Sequence, residues 1–76
     1  MKNTVLLTTK TCTKCPMVKN IIEEKGLDIK YIDVEEEPDI AIEAGVMAVP
    51  SIVVIEDEKY ETHVGQAKVM EFISKN

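Results

Sequence analysis

Val5, Leu6 and Leu7 form an apolar run without alternation, closed by Thr8, Thr9 and Lys10. A strand whose successive side chains are all apolar buries both of its faces, as a central strand does. This chain has 76 residues, and a domain of that size buries only about 60 % of the surface its unfolded chain exposes. The elements that cover the two faces must therefore be few and short, and one domain over residues 1–76 is expected.

The remaining pattern supplies such elements. Cys12 to about Lys25 predicts a helix, with Val18, Ile21 and Ile22 at helical spacing, Met17 beside them and Gly26 as a stop. Leu27 to Val34 predicts a second strand, with Ile29, Tyr31 and Asp33 towards one face and Ile32 and Val34 towards the other. Glu35, Glu36 and Glu37 precede Pro38, which suits a solvated loop leading into a helix start. That helix runs from Pro38 to about Ala44 and ends at Gly45. Ser51 to Ile55 is a second fully apolar strand. Lys59 to Val64 returns after a polar turn as an edge-like strand, with Tyr60 expected in the core and His63 in solvent. A last helix from Gln66 to Lys75 presents Ala67, Val69, Met70, Phe72 and Ile73. The order β-α-β-α-β-β-α implies an α/β fold. Parallel crossovers come first and an antiparallel hairpin late, giving a mixed four-stranded sheet flanked by three helices.

Charge narrows the range of partners. Nine basic residues, all lysine, stand against 14 acidic ones, a net charge of −5 and a sequence pI near 4.8. Such a chain is a poor ligand for nucleic acid or an anionic membrane. The apolar stretch ahead of Thr8 is too short for a secretory signal, which needs roughly 7–15 apolar residues, or for a membrane span of about 20. A soluble, cytoplasmic monomer is expected. Two cysteines are also too few for a secreted disulfide scaffold.

Those cysteines carry the chemistry. Cys12-Thr13-Lys14-Cys15 falls between the first strand and the first helix. Residues three apart on a helical turn share a face, so the two sulfurs can reach bonding distance. A helix N-terminus stabilises a thiolate, and Lys10 and Lys14 add positive charge, so Cys12 should ionise below the free-thiol value of about 8.5. Cys12, nearer the loop, then attacks a disulfide, and Cys15 resolves the mixed disulfide. Pro16 is tolerable only in the first helical turn. Two other readings of the pair exist. It could be two buried small hydrophobes, but Thr13 and Lys14 make a poor apolar pocket. It could hold metal, yet two Cys with the distant His63 make a poor four-ligand zinc set.

Three stretches together resemble a thioredoxin-fold redoxin, closer in detail to glutaredoxins and the glutaredoxin-like NrdH-redoxins. They are Thr11 to Cys15 after the first strand, Gly45-Val46-Met47-Ala48-Val49-Pro50-Ser51 leading into Ile52–Ile55, and Val64-Gly65 after the hairpin. The resemblance implies a thioredoxin-like fold, a cis Val49–Pro50 bond, and a Val49 backbone exposed to pair with a substrate chain. It further implies that Thr11, Thr13, Lys14, Val49, Pro50 and Gly65 border the substrate, with Met47 in the same loop. The departures also matter. Thr11 stands where thioredoxins have Trp. Leu6 replaces their buried Asp, so that general base is missing. Thr13-Lys14 replaces the Pro-Tyr of glutaredoxins. Val64-Gly65-Gln66-Ala67 lacks the second Gly and the acidic residues that help glutaredoxins hold glutathione.

The expectation is therefore a thiol–disulfide oxidoreductase acting on a disulfide-containing protein, re-reduced by a flavin-dependent reductase, with glutathione left open as the other donor, and with no bound cofactor and no metal. The alternative is a metal-binding module. Copper carriers of similar length place Thr-Cys-x-x-Cys after the first strand, where two thiolates suit Cu(I), and some glutaredoxins bridge an iron–sulfur cluster. Copper carriers run β-α-β-β-α-β, so element order separates the two readings.

Overall fold

The computed structural model describes residues 2–75. It contains β1 (Lys2–Thr8), α1 (Cys15–Lys25), β2 (Lys30–Asp33), α2 (Asp39–Ala44), β3 (Ser51–Glu56), β4 (Lys59–Val64) and α3 (Gln66–Ser74). The sheet order is β2-β1-β3-β4. β1 pairs parallel with β2 and antiparallel with β3, and β3 pairs antiparallel with β4. The predicted order and mixed sheet are thus present. The chain carries a helix between β2 and β3, and β4 is followed by α3, which is not the order of the copper carriers.

The unalternating runs are central because helices cover both sides. Leu6, Ile52 and Val54 face α1 and α3, packing with Val18, Ile22, Val69 and Ile73. Val5, Leu7 and Val53 face the other way, against Ala41 of α2 and Val46 beyond it. Each strand therefore splits its residues between two cores by the period of two. α1 and α3 are also joined at their far ends, where Lys25 Nζ donates to the Ile73 carbonyl at 3.0 Å. This contact satisfies one of the carbonyls that a helix C-terminus leaves open. No helix among the described residues is long and apolar enough to cross a membrane.

Some expectations fail locally. The second strand is only four residues long. Leu27 and Ile29 lie ahead of it in a turn, packed against the α1–α3 core, where the Leu27 N–H bonds back to the Ile22 carbonyl. Tyr60 is not in the core. β4 is an edge strand, and Tyr60 is 38 % exposed, its hydroxyl donating to Glu43 Oε2 of α2 at 2.6 Å. His63 is not fully solvated: its ring lies 4.7 Å from that of Phe72, and its Nε2 is 2.9 Å from Glu61 Oε2. Phe72 packs against the α1–α3 core, as expected.

Two stability predictions follow from this packing. Leu6 is wholly buried and Ile42, on α2, is 73 % exposed. Leu6→Ala should cost about 2–5 kcal/mol, and Ile42→Ala no more than about 0.5 kcal/mol, both read from urea midpoints at constant slope. The second concerns pH. The hydrogen bond to Glu43 is the main cause holding the Tyr60 pKa above its ordinary 10.0. The folded chain therefore keeps this proton more tightly than the unfolded one. Its contribution is complete below pH 10.0 and is lost as pH rises through the raised value. Tyr60→Phe should lose stability less steeply than the wild type in alkaline urea titrations.

Candidate active site

The end of the sheet where β1 stops and β3 starts gathers most of the residues singled out in the sequence. β1 and β3 are antiparallel, with Leu7 opposite Ser51. The loop that follows Thr8 and the loop that precedes Ser51 therefore leave the sheet side by side. β4 ends at the same place, Val64 lying opposite Ser51. β2 ends there too, because it is parallel to β1, and the Val34 N–H donates to the Thr8 carbonyl at 2.9 Å.

The first loop holds the cysteines. α1 begins at Cys15 and not, as the spacing predicts, at Cys12. Lys14 is its N-cap and Pro16 stands in its opening turn. Pro lacks an N–H and suits that turn, so its position fixes where the helix can begin. Cys12 lies ahead of the helix in a turn closed by its own N–H to the Thr9 carbonyl at 3.3 Å. Its sulfur is nevertheless bonded to that of Cys15, with the two Cα atoms 5.5 Å apart. Both sulfurs thus sit at the N-terminal end of α1.

The two cysteines differ in access. Cys15 is 2 % exposed. It shares a stripe of α1 with Val18 and Ile22, both buried. Cys12 is half-buried, and Thr11, Thr13 and Lys14 around it are exposed. Among the described residues, neither Thr13 nor Lys14 makes a side-chain hydrogen bond or ion pair, while the Thr11 hydroxyl lies 3.4 Å from that of Thr9. Leu6, where a buried carboxylate would stand in a thioredoxin, is sealed in the core.

The second loop carries Pro50. The Val49–Pro50 peptide bond is cis, as the resemblance implies. Pro50 is buried and Val49 half-buried, the Val49 side chain packing on the α2-side core. Ser51 Oγ donates to the Ala48 carbonyl at 2.6 Å. Met47 is fully exposed. The backbone N–H and C=O of Val49 take part in none of the backbone hydrogen bonds of the described loops. The third piece is Gly65, whose N–H donates to the Pro50 carbonyl at 3.1 Å. Pro50 and Gly65 are thus in direct contact, and the register brings the cysteine loop beside them.

Two features escaped the sequence reading. Val64 is an exposed apolar residue at this end. Lys10 and Glu36 form an ion pair of 3.0 Å, both largely solvent-exposed. The signal for the pair was available: a parallel β2 brings the acidic run Glu35–Glu37 next to the loop that leaves β1. Among the described residues, no three His, Cys, Asp or Glu side chains cluster as a metal site requires.

Comparison with known proteins agrees with this geometry. The sequence model of the thioredoxin domain family matches residues 1–75. The chain is 38 % identical over 61 residues to a thioredoxin of Methanocaldococcus jannaschii, covering 72 % of each chain. It is 29 % identical over 75 residues to a probable thioredoxin of Methanothermobacter marburgensis, covering 91 % of this chain and 88 % of that one. Among solved structures it is similar to a mutant thioredoxin of Halobacterium salinarum, with a TM-score of 0.77 at 23 % identity over 97 % of this chain and 70 % of that one. That last likeness concerns the fold alone.

Gly65 offers a direct check on this corner. Its φ of 90° and ψ of 160° belong to a region essentially restricted to glycine, costing other residues of order 1–3 kcal/mol. An added Cβ would meet nothing within 4 Å, so backbone strain is the only penalty. Gly65→Ala should lower stability by about that amount in urea unfolding, and Gly65→Val should cost more.

Proposed function

The chain belongs to the thioredoxin family and is a thiol–disulfide oxidoreductase, and from that premise we propose that it reduces disulfides of partner proteins by dithiol exchange. The observation that carries this reading is the unequal access of the two bonded cysteines, Cys12 half-buried and Cys15 buried.

In the reduced protein, the Cys12 thiolate attacks one sulfur of the substrate disulfide. A mixed disulfide forms and the other substrate sulfur leaves as a thiolate. Cys15, sheltered from solvent but within bonding reach of Cys12, gives up its thiol proton to the departing substrate thiolate or to water and attacks the Cys12 sulfur as a thiolate. This step releases the second substrate thiolate and leaves the Cys12–Cys15 disulfide. Two electrons have passed to the substrate, whose two sulfurs take up protons from solvent. The positive end of α1 favours the thiolate at Cys12, because both sulfurs sit there.

Substrate recognition falls to the neighbouring loops. The unpaired N–H and C=O of Val49 offer a β-type ladder to an extended substrate segment. Pro50 and Gly65 form the floor beneath that ladder. Thr11, Thr13 and Lys14 form the opposite rim, and none of their side chains is committed elsewhere in the fold beyond the Thr9–Thr11 contact.

The electrons reside on the two sulfurs, so no bound cofactor is required. The proposed donor that restores the dithiol is a flavin-dependent reductase; Val64-Gly65-Gln66-Ala67, without the second glycine and the acidic residues of glutaredoxins, disfavours glutathione in that role. The reading places a monomer in the cytoplasm.

Single-cysteine variants provide the test. Cys12→Ser should abolish reduction of a disulfide-bonded protein, followed by thiol release. Cys15→Ser should instead accumulate a covalent mixed disulfide with that protein, visible by mass and cleared by dithiothreitol. Full activity in Cys12→Ser, or trapping through Cys15 in place of Cys12, would sink the assignment.

A further inference from the structure

Lys10 belongs to the loop that carries Cys12, and its Nζ lies 3.0 Å from Glu36 Oε1 in the turn between β2 and α2. The acidic side of this pair is the better anchored. The Val34 N–H bonds to the Thr8 carbonyl. The Glu36 and Glu37 N–H groups bond to the Asp33 carbonyl at 3.1 and 2.8 Å. The Glu35 N–H bonds to Asp33 Oδ1 at 2.9 Å. Glu36 therefore projects from a turn fixed to the end of β1, whereas Lys10 has a long, flexible stem. The pair orients the lysine more than it orients the glutamate.

We propose that Glu36 is a positioning residue for the reaction: it holds the Lys10 ammonium, and so limits how far that charge can stabilise the thiolate of Cys12. The proposal rests on the reading of Cys12 as the attacking sulfur. The absence of a buried carboxylate at Leu6 gives this surface pair its weight, because exposed groups then supply the charge around the cysteines. The charged or titratable residues nearest along the chain to the ends that meet here are Lys10 and Lys14 of the cysteine loop, Lys19 of α1, Asp33, Glu35, Glu36, Glu37 and Asp39 around the β2–α2 turn, Glu61 and His63 of β4, and Lys68 in the first turn of α3. Residues 46–51 carry no charge. Among the described residues, Lys10 is the one lysine of this group with an ion-pair partner.

The prediction concerns coupling, not merely charge. Removing Glu36 deletes a negative charge and also frees Lys10 to approach the thiolate. A carboxylate acting only through its own field would have the same effect whether or not Lys10 is present. A carboxylate acting through Lys10 would not.

A double-mutant cycle separates the two. Reduced protein in a Cys15→Ser background leaves Cys12 as the titrating thiol, read by ultraviolet thiolate absorbance against pH. Glu36→Gln should raise the thiolate fraction below the midpoint about two- to threefold at low salt, the scale of an exposed ion pair. With Lys10→Met already in place, Glu36→Gln should give a clearly smaller rise. The difference should collapse at about 1 M salt, where the screening length is about 3 Å. Equal effects in the two backgrounds, a fall in thiolate fraction, or coupling that survives high salt would each overturn the proposal. The titration needs no substrate, so its failure is distinct from retained activity in Cys12→Ser, which would overturn the reductase reading itself.

Discussion

The antiparallel pairing of β1 with β3 decides where the chemistry can occur. Its register runs from Lys2 opposite Glu56 to Leu7 opposite Ser51. One end of that ladder releases the loop with Cys12, and the same end receives the loop with Pro50. If the register slipped by one residue, Leu6 and Ile52 would turn to the opposite core; both runs are apolar throughout, so the loss would be of side-chain fit and not of hydrophobicity. The core therefore enforces the register, and the register places the two loops beside each other. Gly65 is added to the corner by the β3–β4 pairing and by its bond to the Pro50 carbonyl.

The parts of the fold legible in the sequence were those with a period or a stop. The runs Val5–Leu7 and Ile52–Ile55 announced central strands because neither face could tolerate solvent. Gly26 and Gly45 marked helix ends. The cysteine spacing and the Val-Pro-Ser segment marked the candidate site, and their order along the chain pointed to the family. The errors occurred where tertiary cover outweighs local pattern. Tyr60 alternates as a core residue would, yet α2 is too short to roof the edge strand, and the hydroxyl finds Glu43 instead. His63 is polar, yet Phe72 of α3 lies against it. The helix starts three residues later than the cysteine spacing predicts, because Pro16 fits only its opening turn. The Lys10–Glu36 pair joins two loops remote in sequence, and only the strand order brings them together.

The asymmetry between the cysteines has a structural origin. Cys15, Val18 and Ile22 are spaced three and four residues apart, the spacing of one helical stripe. Burying Cys15 is thus part of the same event that docks α1 on the sheet beside Leu6 and Ile52. Cys12 lies outside the helix, in a loop whose backbone turns on Thr9, and the docking does not reach it. Hydrophobic packing alone thereby supplies one accessible sulfur and one sheltered sulfur. The proposed order of attack, Cys12 first and Cys15 second, rests on that difference and invokes no base at position 6. A carboxylate there would have to be buried between α1 and α3 among Val18, Ile22 and Val69, at a cost of several kcal/mol unless paired. Leucine avoids that cost, and in the proposed mechanism the α1 N-terminus and the charges that line the loops act on the thiolate in its place.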